Sequence, residues 1–186
     1  MRVALYGGSF NPPHMGHVLG AAYLTSAAGF DRVLVVPVFE HAFDKSLLHF
    51  DARVELCNIA FATLKRVEVC TIESELPRPS YTISTVEALL ALHRDWQLEV
   101  VVGADVLPEL PKWHRFNELL RLVKIYAMGR RGYASIEGAL SLLPEISSSE
   151  LRARLREPAV PDNEKVLRQL LPADVLTKIL AHGYYR

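Results

Sequence analysis

The chain has 186 residues but two cysteines, no excess of charge of either sign, and no long hydrophobic run. Cys57 and Cys70 are isolated, in ELCNIAF and VEVCTIE, so they form neither a disulfide framework nor a metal-ligand spacing. Both read as buried thiols, one on a helix and one on a strand, in a reducing cytoplasm. Lys plus Arg equals Asp plus Glu, at 21 each. That balance lacks the broad positive field on which non-specific nucleic-acid binding depends. No tail of like charge is present to meet an anionic membrane or an acidic partner. No stretch approaches the roughly 18 uninterrupted apolar residues of a membrane span. The apolar run 3–6 stops at Gly7-Gly8-Ser9, unlike a signal peptide. Nucleic acid and membrane are therefore excluded as partners, and no residues are assigned to a metal.

What is present is a regular alternation of short β-rich runs and helical patterns. Strands are expected at 3–6, 33–38, 67–72, 98–102 and 123–128, and helices at 15–28, 82–93 and 116–122. A further helix is capped by Asp51 and turns Val54, Cys57, Phe61 and Leu64 inward; the helix 82–93 turns in Ile83, Val86 and Leu90. Strands that are apolar throughout are buried on both faces. Alternation with helices then gives an α/β fold, a doubly wound parallel five-stranded sheet with helices on both faces. After Ala134 the pattern turns helical, at 149–156, 163–170 and 173–182. One domain is expected over 1–186, with an α/β core at 1–130 and a small C-terminal helical part at 131–186.

The first strand runs into Gly7-Gly8-Ser9-Phe10-Asn11-Pro12-Pro13-His14-Met15-Gly16-His17 and then the first helix. Ligands of open α/β sheets bind at such strand ends. Gly7 and Gly8 let a ligand approach the backbone, and the helix start offers unpaired N–H groups to an anion. His14 and His17, three apart, share one helix face and reach toward the same phosphate.

Three later segments offer matching chemistry. Ile146-Ser147-Ser148-Ser149-Glu150-Leu151-Arg152 opens a helix with a Ser147/Glu150 capping spacing, several hydroxyls and a guanidinium fork for an anion. Gly103-Ala104-Asp105 follows the fourth strand, where Asp105 can accept hydrogen bonds from a ribose diol and Gly103 permits close approach. Trp113, in LPKWHRF, presents a flat indole suited to a flat ring. On chemistry alone each of these also reads as an ordinary cap, turn or packed aromatic.

Together these motifs resemble a known family. GGSFNPPHMGH resembles the GGxFDPxHxGH signature of the nucleotidyltransferase superfamily, with Asn11 where Asp is commoner, and ISSSELR resembles its ISSTxxR closing motif, with Ser149 in place of Thr. PSYTIST resembles the SYTxxTL stretch of nicotinate-mononucleotide adenylyltransferases, and the resemblance is greatest to the bacterial enzymes. It implies a Rossmann-like fold and His14, His17 and Arg152 as the groups that stabilise ATP's phosphates during attack. The implied ATP site adds Gly7, Gly8, Ser9, Phe10, Gly103, Asp105, Ile146, Ser148 and Ser149. The implied mononucleotide site comprises Ser9, Lys45, Tyr81, Thr82, Thr85, Trp113 and Arg130, with Trp113 stacked on the pyridine.

The implied reaction is in-line attack of a pyridine mononucleotide's 5′-phosphate on the α-phosphorus of ATP, giving a dinucleotide and pyrophosphate in NAD biosynthesis. Mg²⁺ travels with ATP. Nicotinate and nicotinamide mononucleotide stand as alternative acceptors, and a homo-oligomer is allowed. The rivals are another nucleotidyltransferase and a non-catalytic nucleotide sensor. Phosphopantetheine adenylyltransferases usually carry Thr where His14 stands, cytidylyltransferases usually close on a different motif, and pyrophosphate release separates an enzyme from a sensor.

Overall fold

A computed structural model describes residues 1–40, 47–129, 146–157 and 160–186. The strands are β1 (Arg2–Gly8), β2 (Arg32–Pro37), β3 (Val67–Val69), β4 (Gln97–Gly103) and β5 (Lys124–Met128). The helices are α1 (Met15–Ser26), α2 (Phe50–Phe61), α3 (Thr82–Leu92), α4 (Phe116–Leu122), α5 (Ser148–Arg156), α6 (Pro161–Leu170) and α7 (Ala173–His182). Two 3₁₀ segments, Ile72–Glu75 and Ala104–Lys112, follow β3 and β4. The sheet has the order β3-β2-β1-β4-β5, and every neighbouring pair is parallel.

The strands explain why the sheet is covered twice. Along β1, Ala4 and Tyr6 point to one face while Val3 and Leu5 point to the other, and all four are buried. On the first face Ala21 and Leu24 of α1 and Leu56, Cys57 and Phe61 of α2 pack against them. On the second face Ile83, Val86 and Leu89 of α3 and Leu119 of α4 do the same. The C-terminal helices join the first face, through Leu151 and Leu155 of α5, Leu167 of α6 and Val175, Leu176 and Ile179 of α7. An ion pair of 2.6 Å between Lys178 and Glu55 ties α7 to α2.

Several local expectations are corrected. β3 ends at Val69, not at 72: the Cys70 N–H still bonds to Val35 O at 2.8 Å, but the chain then turns through Ile72–Glu75. Cys70 is accordingly only half-buried, whereas Cys57 is buried. α2 starts one residue before Asp51, with His49 at the N-cap; Asp51 lies in the first turn, where its charge faces the helix N–H groups. Its inward face carries Arg53, Leu56, Cys57, Ala60 and Phe61, while Val54 is half-buried and Leu64 lies beyond the helix. On α3 it is Leu89, not Leu90, that is buried. α1 stops at Ser26, and the following chain reverses through Gly29 at φ 74°.

Candidate active site

The strand order reverses at β1, since β2 lies on one side of it and β4 on the other. Pairing of β1 with β2 runs on to Gly8 and Pro37, but pairing with β4 ends at Tyr6 and Val101. β1 and β4 therefore part at their carboxyl ends, with Gly7 and Gly8 on one lip and Gly103 and Asp105 on the other. A crevice at such a switch point is where open α/β sheets take ligands.

The loop from Gly8 to His14 is held from beneath. Phe10 sits at φ 44°, turns its ring into the core, and packs edge-on against Tyr6 and Phe61. Any ligand contact from Phe10 is thus through its backbone. The same ring lies 4.9 Å from that of His17. A Cβ added to Gly8 would meet two Phe10 ring carbons at 3.2 and 3.3 Å. Gly8 thus leaves little room for a side chain beside Phe10.

His14 is the N-cap of α1 and His17 stands at its third position. Their rings stack with centroids 3.7 Å apart and planes 28° from parallel. The backbone N–H of His14 donates to Nδ1 of His17 at 3.2 Å. With Nδ1 accepting, neutral His17 carries its proton on Nε2, as a donor. His14 is only 2% exposed while His17 is half-buried, so His17 is the ring more open to a ligand.

The start of α5 docks on this loop from 141 residues away along the chain. Arg152 Nη1 donates to Asn11 O at 2.8 Å, its Nη2 to Ser149 Oγ at 3.2 Å, and Ser148 Oγ to Pro12 O at 3.1 Å. The guanidinium, both serines and the histidine loop thus converge, as the two motifs require. The expected Ser147/Glu150 capping pair does not form. Ser147 is the N-cap but makes no side-chain cap bond, and Glu150 pairs instead with Arg154 four residues on, at 3.0 Å. Ile146 is buried in the first-face core, so its side chain anchors the segment.

A family model described as cytidylyltransferase-like matches residues 5–154. The chain belongs to the cytidylyltransferase-like family. Relatives align over nearly the whole chain. One from Anaeromyxobacter dehalogenans is 41% identical, covering 99% of this chain and 96% of its own. One from Myxococcus xanthus is 32% identical, covering 100% and 95%. Both carry the name "Probable nicotinate-nucleotide adenylyltransferase". Among solved structures, Plasmodium falciparum nicotinic acid mononucleotide adenylyltransferase complexed with NaAD superposes with a TM-score of 0.83 at 19% identity, covering 99% of this chain and 97% of its own. That likeness is one of fold, and it matches the Rossmann-like sheet expected from the sequence.

The remaining residues that the sequence singles out lie at the start of α3 and after β4. Tyr81, the N-cap of α3, stacks on His114 with centroids 4.2 Å apart, beside Trp113 in the chain. Trp113 is half-buried against the second-face core. Thr82 opens α3 and is half-buried. Thr85 is 1% exposed, and its hydroxyl donates to Glu73 Oε1 at 3.0 Å, so that hydroxyl is engaged within the fold. Lys45 and Arg130, together with His41, lie outside the described residues.

Three supporting residues are missing from the sequence-predicted site, although Asn11 stands within the first motif. Asn11 is buried, and its Oδ1 accepts the Leu48 N–H at 3.1 Å, which ties the histidine loop to the approach to α2. Glu73 is buried too, and its second oxygen accepts the Phe39 N–H at 3.0 Å. Arg53 is buried on the inward face of α2, and burial pushes its guanidinium pKa down from the usual value. Its neighbour Tyr185 is pushed up, mainly by burial and against the pull of Arg53 and Arg152. An arginine amid the apolar positions of α2 is a signal that a wheel of that helix would have exposed.

Proposed function

We propose that the chain is a nicotinate-nucleotide adenylyltransferase that joins nicotinate mononucleotide to the AMP part of ATP. The mononucleotide 5′-phosphate oxygen attacks the α-phosphorus in line. A new P–O bond forms, the bond to the bridging oxygen breaks, and pyrophosphate leaves. The observation that carries the reading is the docking of Arg152 and Ser148 on Asn11 and Pro12, three and two residues before His14, at the crevice between β1 and β4. The full-length relatives support adenylyl transfer to a nicotinate nucleotide over the cytidylyl transfer in the family's description.

In this reading the protein supplies alignment and a positive field rather than a covalent nucleophile. His17 Nε2–H, the N–H groups at the start of α1 and the Arg152 fork receive the charge that develops on the triphosphate. His14 closes the same end of the helix, and Ser149, held to Arg152, orders the fork. Gly7, Gly8 and Ser9 would leave the backbone open to the phosphates, and Gly103 and Asp105 the ribose. Tyr81, Thr82 and Trp113 would receive the pyridine ring. Lys45 and Arg130 remain proposed as further cations toward the mononucleotide.

The donors gathered here suit phosphate oxygens. Among the described residues no group of three or more His, Cys, Asp or Glu is gathered to hold a metal. In this reading Mg²⁺ would travel with ATP's own phosphates and water, where it offsets their charge. No helix among the described residues is long and apolar enough to cross a membrane. The reading has the enzyme working in the cytoplasm, beside its ATP.

The test incubates ATP and Mg²⁺ with nicotinate or nicotinamide mononucleotide and measures pyrophosphate and dinucleotide. Dinucleotide formation, faster with the nicotinate substrate, is the expected result. No pyrophosphate with either acceptor would leave a nucleotide sensor, and equal rates would remove the nicotinate preference.

A further inference from the structure

Arg53 is the largest of the fully buried side chains among the described residues, at 1% exposed. Its guanidinium meets carbonyl oxygens on every side. Nε donates to Leu48 O at 2.8 Å, Nη1 to Ser9 O at 3.0 Å, and Nη2 to Val38 O at 2.8 Å and Phe39 O at 3.5 Å. All four acceptors are neutral. A buried charge whose hydrogen bonds among the described residues all go to neutral carbonyls, with the Glu73 carboxylate acting on it only through space, is a poor way to stabilise a core, and an apolar side chain of similar length would fill the same face of α2 at less desolvation cost.

The acceptors indicate what the arginine does instead. Ser9 lies in the histidine loop, Val38 and Phe39 leave β2, and Leu48 leads into α2. Two neighbouring bonds run the same way, from Val38 N–H to Gly8 O at 2.9 Å and from Leu48 N–H to Asn11 Oδ1 at 3.1 Å. Gly8, Ser9 and Asn11 are thus each pinned to a segment that Arg53 also holds. A planar fork reaches several acceptors with fixed mutual angles, which a single ammonium does not.

We propose that Arg53 is a positioning residue for adenylyl transfer, setting the backbone of the histidine loop and registering against it the two segments that flank residues 41–46. It lies beneath the loop and touches no reacting atom. The inference rests on the adenylyltransferase reading. Misplacement of reacting groups by about 1 Å costs on the order of 10²-fold in rate.

The experiment compares wild type with Arg53→Lys and Arg53→Met, measuring kcat per folded molecule at saturating ATP and nicotinate mononucleotide, both KM values, and thermal unfolding. Arg53→Lys keeps charge and length, so it is expected to fold with a modestly lower Tm. Its kcat is expected to fall roughly 10- to 100-fold, with each KM within about threefold. Arg53→Met is expected to fall at least as far. A native Arg53→Lys that turns over within twofold of wild type would overturn the inference, as would failure of both variants to fold, which assigns Arg53 to stability. A wild-type chain that makes no dinucleotide sinks the adenylyltransferase reading and this inference with it; wild-type activity retained in Arg53→Lys sinks this inference alone.

Discussion

His17 does two things that a pair of substitutions can separate. Its Nδ1 accepts the His14 N–H at the start of α1, and its ring packs between His14 and Phe10. In the proposed reaction its Nε2–H donates toward a phosphate. Removing the ring as His17→Ala loses a cap bond of about 1 kcal/mol and ring contacts of about 0.5–1.5 kcal/mol each. The total is roughly 2–4 kcal/mol, or a Tm lowered by about 4–16 °C for a chain of this length. His17→Asn keeps an amide oxygen where Nδ1 stood, so it can accept the same N–H and recover about 1 kcal/mol of the loss. Its side chain stops short of the Nε2 position. Loss of one donor aimed at developing charge costs about 10²–10³ in kcat. Both variants are therefore expected to lose turnover alike while Asn keeps the higher Tm. The assay is pyrophosphate release at saturating substrates, at a temperature where both are folded. Turnover that returns with stability in His17→Asn would mean that the ring acts only as a cap. Near-normal turnover in His17→Ala would remove it from the chemistry.

Three other outcomes are expected. Gly8→Ala drives a methyl against Phe10, whose ring must shift by a few tenths of an ångström where it packs on Tyr6 and Phe61; about 1–3 kcal/mol of overpacking should lower the Tm by about 2–12 °C, and an unchanged Tm would show that the ring or the loop gives way freely. Trp113→Ala removes a stacking face worth about 1–3 kcal/mol per ring, so the KM for the mononucleotide should rise about tenfold while that for ATP stays within twofold; a change confined to ATP would place the indole elsewhere. Alkaline stability should fall from about pH 9 upward. Burial raises the Cys57 thiol above its ordinary 9.0, and burial chiefly holds the Tyr126 phenol at about 12, above its ordinary 10.0. Groups raised in the folded state contribute full stability below their unfolded pKa and lose it as pH climbs toward the folded one, at about 1.4 kcal/mol per pH unit for each proton. Cys57→Ala should flatten the fall of Tm between pH 9 and 10, and an unchanged slope there would refute the assignment.

Much of this architecture was open to the sequence for a simple reason. β1, β2 and β4 are apolar at successive positions, and only burial on both faces tolerates that. The glycines, the strand end and the paired histidines likewise name their chemistry locally. What stayed hidden depends on distant partners. Helical spacing of the apolar residues alone turns Val54 inward on α2 and gives no place to a buried arginine. Cys57 and Phe61 do face inward as expected, but Arg53 joins them in place of Val54, its guanidinium bound by four carbonyls, from residues 9, 38, 39 and 48. Thr85 looked like a ligand-facing hydroxyl, and its engagement by Glu73 is a contact over 12 residues that no local pattern encodes. The Ser147/Glu150 spacing was a true cap signal, overridden by Arg154 at the helical distance from Glu150.

The C-terminal helices follow from the same logic. A cleft between β1 and β4 with only the histidine loop on one side would present donors from a single direction. Arg152 adds donors from a second segment, but an arginine on an isolated nine-residue helix has no fixed place. Leu151 and Leu155, on either side of it in sequence and four apart, are buried in the core that also holds Phe10. One face of α5 thus fastens to the sheet while the other lays Ser148 and Arg152 on Asn11 and Pro12. The apolar periodicity of α5 and the polar motif that interrupts it are therefore one feature: the leucines set where the guanidinium stands, and the ring of Phe10 in that same core sets where His17 stands to meet it.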